Sequence, residues 1–300
     1  RNVFVIVLLL VLVSACKPAE DATVDNQSGP DVQAEPVVAT GDPMELMETE
    51  GLLRRIGSLA SDEFGGRAPM SEGERLTLDF LEAEFKEMGL APMFGDSYRQ
   101  PVPLVAIEAT GDLTLGVSNP GGETVLSFAN GPESAVWTTR VVEQTGLENS
   151  ELVWAGYGII APEYDWDDYA GLDVKGKTVI VLVNDPGYAT QNPDLFSGNA
   201  MTYYGRRTYK YEEAARQGAA GILIIHETGA AAYGWNVIED GRQGPQFHLA
   251  PDNKNMHRVK VEGWLQHPVA EQILALAGHD LAALEAQAAK ASVTPIPLGL

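Results

Sequence analysis

The sequence predicts a mixed α/β (α+β) protein, and three regions carry this prediction. Residues 71–88 repeat apolar side chains at helical spacing, which predicts an amphipathic helix. Short apolar runs bounded by Gly, Pro and Asn follow within residues 102–154 and predict a β-rich middle. Nearly continuous apolar runs at 177–183 and 221–227 flank a helical pattern at 203–217, which predicts a right-handed β-α-β crossover.

Residues 1–15 have the pattern of a signal peptide. An apolar run at 3–13 follows Arg1, and it is too short for a bilayer span of about 20 residues but fits a signal-peptide core. The run ends in VSAC, which resembles a bacterial lipoprotein signal with small residues at the cleavage site and a lipid-bearing cysteine. We therefore expect a lipid on Cys16, the only cysteine of the chain. An ordinary signal peptide with an incidental cysteine is the alternative.

Residues 16–43 predict a disordered tether. Between 17 and 43 there are no aromatic residues, four prolines, and six acidic residues against one lysine. Such a segment buries too little apolar area to offset the entropy of ordering. The whole chain carries 20 Lys and Arg against 42 Asp and Glu, a net charge of -22, and this charge excludes nucleic acid as a partner. Because the sequence opens on Arg1 rather than Met, we expect a fragment.

Residues 44–110 predict two helices joined by an acidic loop. Apolar residues from 46 to 59 fall close to helical spacing, and a loop at 62–70 follows. Gly65 and Gly66 permit positive φ in that loop. Ser71 and Glu74 have the spacing of a capping box, which predicts that the second helix begins there and ends at Gly89. The apolar face of the second helix is formed by Leu76, Phe80, Leu81, Phe85 and Met88.

Residues 111–265 and 266–300 predict a β-rich domain followed by two helices. Beyond the crossover, residues 258–264 predict another strand. Apolar and Ala positions at helical spacing predict helices at 268–276 and 280–290. The last residues, TPIPLGL, are typical of a linker.

No complete catalytic motif occurs in the sequence. Residues 156–161, GYGIIA, match a dinucleotide-binding pattern, but Pro162 prevents a helix from starting there, so a structural turn is the better interpretation. Glu212 and Glu213 are interpreted as the exposed face of a helix. The histidines, none of which has zinc-motif spacing, are His226, His248, His257, His267 and His279. A G-x-S-x-G nucleophile elbow and a phosphate-binding Walker loop do not occur.

Two parts of the sequence resemble a known family. The first comprises SLASDEFGGRAPMSEGERLTLDFLEAEFKEMGLAP and SYRQPVPLV, and it resembles the N-terminal segment of bacterial zinc-dependent exopeptidases of the aminopeptidase type, peptidase family M twenty-eight. The family's acidic-Phe-acidic-Gly-Arg loop has Gly65 at its second acidic place here, and Met70-Ser71 replace the usual Gly-Thr. The second part, about 151–264, resembles a protease-associated domain in WAGYGIIAPEYDWDDYAGLDVKGKTVIVLVNDPG, YYGRRTYKYEEAARQGAAGILIIHE and AAAYGWNVI.

The resemblance implies a division of the chain and a cofactor. It implies that 44–110 is the N-terminal helical segment of a zinc-exopeptidase domain, that 111–265 is an inserted protease-associated domain, and that 266–300 returns toward a catalytic half. Two zinc ions and a general-base Glu act in that half. The family's ligands are a His-x-Asp pair, a bridging Asp, a Glu-Glu pair, a further acidic residue and a late His. No position here matches them, so both zinc ions are expected on residues beyond this chain, which alone is expected to be inactive.

Five residues are candidates for a role in substrate access. Arg67 is placed to pair with a carboxylate near an active-site rim, and capping its own loop is an equal alternative. The inserted domain supplies Tyr203, Tyr204, Tyr233 and Trp235 as aromatic contacts, with core and turn packing as the alternative.

These observations lead to two main hypotheses. The first is the N-terminal part of a lipid-anchored zinc exopeptidase that acts on peptide or protein substrates in the bacterial cell envelope, on the periplasmic or extracellular face. The second is a non-catalytic envelope lipoprotein that binds peptides or partners. A subtilisin-type serine protease, which also carries such inserts, is disfavoured by the exopeptidase-like first segment.

Overall fold

The computed structural model describes Met44 and residues 47–111, 113–290 and 292–300. The predicted signal peptide, Cys16 and the predicted tether lie outside the described residues. The chain divides into two units, 1–77 and 78–300. None of the helices in the described ranges is long and apolar enough to cross a membrane.

In the described part of the chain, two helices are followed by eight strands, and helices and strands then mix. The helices are α1 (Thr49–Leu59), α2 (Glu72–Glu87), α3 (Pro186–Thr190), α4 (Arg207–Arg216), α5 (Thr228–Ala231), α6 (Asn236–Asp240), α7 (His267–Leu276) and α8 (Leu281–Ala288). The strands are β1 (Leu104–Ile107), β2 (Thr114–Ser118), β3 (Thr124–Ala129), β4 (Ser134–Trp137), β5 (Leu152–Trp154), β6 (Ile160–Ala161), β7 (Trp166–Asp167), β8 (Thr178–Leu182), β9 (Gly221–His226), β10 (Gln246–Leu249), β11 (Val261–Gln266) and β12 (Ile296–Pro297). The predicted α/β class is confirmed.

The predicted turn between α1 and α2 is confirmed in the first unit. Gly65 and Gly66 have φ of 57° and 84°, as a turn that reverses the chain requires. The Ser71 hydroxyl accepts a hydrogen bond from the Glu74 amide at 3.2 Å and caps α2. The Glu74 carboxylate accepts from the Met70 amide at 2.6 Å, one residue earlier than in a standard capping box.

A six-stranded sheet forms the centre of the second unit. Its strand order is β12-β5-β8-β9-β11-β4. The four central strands are parallel, and the edge strands β4 and β12 are antiparallel to their neighbours. β8 and β9 pair directly and carry the predicted crossover, with α3 and α4 between them. Every residue of these two strands is buried, which confirms the interpretation of their apolar runs.

Side chains alternate between two hydrophobic cores, one on each face of this sheet. In β8, Ile180 and Leu182 join the first core, whereas Val179 and Val181 join the second. Helices α7 and α8 supply the first core. Helices α4, α5 and α6 supply buried residues to the second.

Several elements differ from the sequence prediction. The TPIPLGL end was predicted as a linker, and this is wrong, because β12 lies within it and pairs with β5. The helix predicted at 203–217 starts with a 3-10 turn at Tyr203–Gly205 before α4. Strands β4 and β10 were not predicted; β10 pairs with β1, and β4 forms the edge beside β11.

Candidate functional site

Buried charges lie beyond the carboxyl ends of β5 and β8, where ligands of open α/β sheets usually bind. Lys210, from α4, is fully buried and donates a hydrogen bond to the Tyr157 carbonyl oxygen at 2.6 Å. Asp168 and Asp185 are also fully buried. Burial lowers the pKa of Lys210 to about 7, against the opposing effect of these two carboxylates. Burial likewise raises the pKa of Asp168 to about 6.

This cluster positions a loop and is closed to ligands. The Asp168 carboxylate accepts hydrogen bonds from the amides of Tyr157, Ile159 and Val293 at 3.1, 3.2 and 3.1 Å. It therefore fixes the GYGIIA segment, which is followed by a 3-10 turn at Pro162–Tyr164 rather than by an α-helix. This geometry confirms the structural turn predicted at GYGIIA, with no α-helix starting after it. Because the charged side chains have no exposed surface, the cluster is structural.

Three of the four predicted aromatic residues pack against the two cores, and Tyr203 is exposed. Tyr204 packs at the first core and donates to Glu163 at 2.7 Å. Tyr203 is 57% exposed and donates to Glu212 at 2.9 Å. Tyr233 and Trp235 pack at the second core, and the Trp235 indole donates to the Gly131 carbonyl oxygen at 2.8 Å.

The predicted substrate-access residues lie in different local environments. Tyr203 and Tyr204 contact the ring of Tyr209, whereas Tyr233 and Trp235 surround the ring of His226. In the first unit, Arg67 is exposed on the turn before α2 with φ of 61°. Their role in substrate access stays a prediction.

A large open groove of the second unit is the better candidate for a binding site. Its volume is about 1370 Å³, and its walls include the β2–β3 hairpin, edge strand β4 and the segment from Arg242 to β10. This volume exceeds the roughly 300–1,000 Å³ typical of small-molecule pockets. The predicted aromatic residues are not among its lining residues. Trp137, Arg242 and His248 line it instead.

Trp137 and Arg242 form the most defined part of this groove. The Arg242 guanidinium lies 3.4 Å from the centre of the Trp137 ring. The Trp137 indole donates to Glu262 at 3.1 Å, and Tyr211 packs edge-on against it at 5.9 Å. Burial lowers the pKa of His248, which lines the same groove.

Sequence reasoning did not find this pair. Trp137 lies in a four-residue strand that was not predicted, and Arg242 follows the short helix α6. The two residues are distant in sequence and share no motif spacing, so only the packed sheet brings them together. The one local signal is Trp137 itself, a large aromatic side chain at a partly exposed position.

The described residues do not fit a zinc centre. Within the described ranges, no group of three or more His, Cys, Asp and Glu side chains is arranged to hold a metal ion. His226 contacts the Tyr233 carbonyl oxygen at 3.0 Å, and His267 contacts Glu285 at 3.0 Å, so both rings are used in local packing. The interpretation of Glu213 as exposed is wrong, because it is 5% exposed and bonds to Arg216 and Gln217.

Comparisons with known proteins place the chain in no family. No family model and no curated protein match it. Among solved structures, an aminopeptidase from Aneurinibacillus sp. strain AM-1 aligns with 17% identity and a TM-score of 0.34, over 78% of this chain. The chain spans 42% of the length of that aminopeptidase. A likeness of this size assigns neither a family nor an activity.

Proposed function

We propose that this chain is the N-terminal part of a lipid-anchored metallopeptidase of the aminopeptidase type. Two zinc ions bound by residues outside this sequence would catalyse peptide-bond hydrolysis. Residues 111–265 would act as a protease-associated domain that modulates substrate access. The proposal rests on the sequence resemblance, in which the exopeptidase-like first segment precedes the inserted domain in the family's order. No catalytic step is assigned to the residues of this chain.

The exposed apolar surface of α1 is the structural observation that supports the proposal. Leu52, Leu53 and Ile56 are 59%, 62% and 53% exposed, and α1 buries none of its side chains. On α2, Phe85 is 37% exposed. Isolated helices of this length are marginal in water and depend on packing of their apolar face. A catalytic domain that packs on α1 would supply that cover.

The test is hydrolysis by the full-length protein purified from membranes in detergent. It should release p-nitroaniline from leucine p-nitroanilide, lose this activity with 1,10-phenanthroline and recover it with zinc. The 300-residue chain alone should be inactive in the same assay. A full-length protein that is folded but inactive on a panel of aminoacyl p-nitroanilides would contradict the proposal.

The second candidate function is a non-catalytic envelope lipoprotein that binds peptides or partners. The groove of about 1370 Å³ favours it, because a binding module needs such a surface and no metal site. Peptide binding without hydrolysis by the full-length protein would support this candidate over the first.

A further inference from the structure

The Arg242 side chain is an unmatched cation in a strongly acidic protein. It is partly buried, yet no Asp or Glu oxygen in the described ranges lies within 4.0 Å of its guanidinium nitrogens. Its guanidinium also makes no hydrogen bond to the described residues, although it carries five N–H donors. Arg242 lacks a carboxylate partner among the described residues even though the chain has 42 Asp and Glu residues. An anionic partner from outside the chain would match this group.

Arg242 is held on a rigid platform. The Trp137 indole beneath it donates to Glu262, which is 2% exposed. Arg258 and Thr139 donate hydrogen bonds to the other Glu262 oxygen at 2.9 and 3.3 Å. The carboxylate that accepts from the Trp137 indole therefore already has its own partners. With the ring fixed, the guanidinium lies over its face, and Arg242 lines the groove.

Electrostatics around Arg242 favour an incoming anion. Burial lowers the pKa of Arg242, and the neighbouring charge of Arg207 adds to this effect, whereas Tyr211 and Glu262 oppose it. Arg207 is exposed and also has no carboxylate partner within 4.0 Å among the described residues. An anion bound beside Arg242, where the groove opens to solvent, would reduce the electrostatic repulsion between Arg242 and Arg207.

The groove is shaped for an extended chain rather than for a small anion. It is an open groove of about 1370 Å³ that runs past edge strand β4 and is lined by apolar as well as polar residues. Leu115, Val136 and Val142, which are exposed or partly buried, supply apolar contacts in its walls. Of the groove carboxylates, Glu151 is paired with Lys177 at 2.9 Å, and none lies within 4.0 Å of Arg242.

We propose that Arg242, stacked on Trp137, binds the side-chain carboxylate of an acidic peptide that lies in this groove. The planar guanidinium matches a carboxylate through two parallel hydrogen bonds, which fixes the position of the acidic residue along the groove. The remaining peptide contacts the apolar walls. This inference goes beyond the proposed function and does not depend on zinc or hydrolysis.

The test is isothermal titration calorimetry of the full chain in detergent with two heptapeptides, acetylated and amidated, that differ only in a central Glu or Gln. The Glu peptide should bind about tenfold tighter than the Gln peptide, as expected for a hydrogen-bonded charge pair. Arg242→Gln should remove this preference, and Arg242→Lys should retain part of it because lysine provides charge without the planar fork. Arg206→Gln, a matched change at an exposed arginine, should alter the affinity less than twofold.

Three results would overturn the inference. They are equal binding of the two peptides to the unmodified chain, an unchanged preference in folded Arg242→Gln, and displacement of the Glu peptide by inorganic phosphate at equal concentration. Circular dichroism and the urea unfolding midpoint establish that each variant is folded. If Arg242→Gln does not fold, Arg242→Lys provides the test. Equal binding of the two peptides by an unmodified protein that shows zinc-dependent hydrolysis would reject this inference and leave the proposed function standing.

Discussion

At the scale of single residues, the buried ammonium group of Lys210 links the stability of the second unit to pH. Its pKa is lowered from 10.5 to about 7 by burial in the folded protein. Between these two values the unfolded chain binds a proton that the folded protein releases, so the free energy of unfolding rises with pH across this window. At lower pH the folded protein must bury the charged form, which is the unfavourable one.

Lys210→Met tests this link. The variant lacks the titrating group, so its free energy of unfolding should not show that rise between pH 7 and 10.5, and the gap to the unmodified protein should widen with pH. Below pH 7, where Lys210 is charged in the folded protein, the variant should be destabilised by about 3 kcal/mol, because Asp168 and Asp185 lose their buried cation. Urea unfolding across the pH window measures both effects.

Lys177→Met is the matched control for this prediction. Lys177 pairs with Glu151 at 2.9 Å, and both side chains are partly exposed. Removal of such a surface pair should cost about 0–1 kcal/mol. A Lys210→Met variant whose stability rises with pH in parallel with the unmodified protein would contradict the account.

At the scale of elements, the GYG turn after β5 depends on close packing as well as on glycine φ. Gly158 and Gly176 have φ of 64° and 76°, so alanine is strained at both positions. At Gly158 an added Cβ would also lie 2.7 Å from a Val181 methyl group, whereas at Gly176 nothing lies within 4 Å. A comparison of alanine substitutions at the two positions therefore separates the cost of backbone strain from the cost of overpacking.

Gly158→Ala and Gly176→Ala form a matched pair. Gly176→Ala should lower the free energy of unfolding by about 1–2 kcal/mol, the cost of the left-handed conformation. Gly158→Ala should lower it by about 1–3 kcal/mol more, because the core against Val181 is overpacked. Urea unfolding of both variants measures the difference, and equal losses would show that packing at Gly158 plays no part.

Strand β12 is expected to stabilise the sheet together with Leu298, the residue that follows it. Leu298 is 6% exposed, and its amide donates to the Leu152 carbonyl oxygen at 2.9 Å. Leu298→Ala should cost about 2–5 kcal/mol, as buried leucines do. Leu276→Ala, at a position that is 44% exposed, should cost less than about 0.5 kcal/mol. Similar unfolding midpoints for the two variants would mean that β12 contributes little.

The elements that the sequence predicted are those with a clear period. Helix α2 has a capped start and a repeating apolar face, and strands β8 and β9 are continuous apolar runs, so local pattern suffices. Strands β4, β10 and β12 are short and pair with distant residues. Pro297 gives the last of them the composition of a linker, although an edge strand tolerates proline.

The site was less predictable than the fold. Arg242 and Trp137 meet only because β4 forms the edge of the sheet next to the segment after α6. The burial of Lys210 was equally hidden, because it lies in a polar stretch of α4 and is enclosed by tertiary packing. Both features depend on the environment of a side chain rather than on its neighbours in sequence.

At the scale of the whole molecule, we expect substrate access and catalysis to be served by different parts of the protein. The described residues provide helix α1 with an exposed apolar face in the first unit and a groove in the second, and no metal-binding group is found among them. A peptidase with this N-terminal part would therefore take its chemistry from elsewhere and use this part for access and selection.

The zinc content of the full-length protein tests this account most directly. Inductively coupled plasma mass spectrometry should find two zinc ions per polypeptide in the protein purified from membranes, and none in the 300-residue chain purified in parallel. A full-length protein that is folded and free of zinc, or a 300-residue chain that binds zinc stoichiometrically, would contradict it.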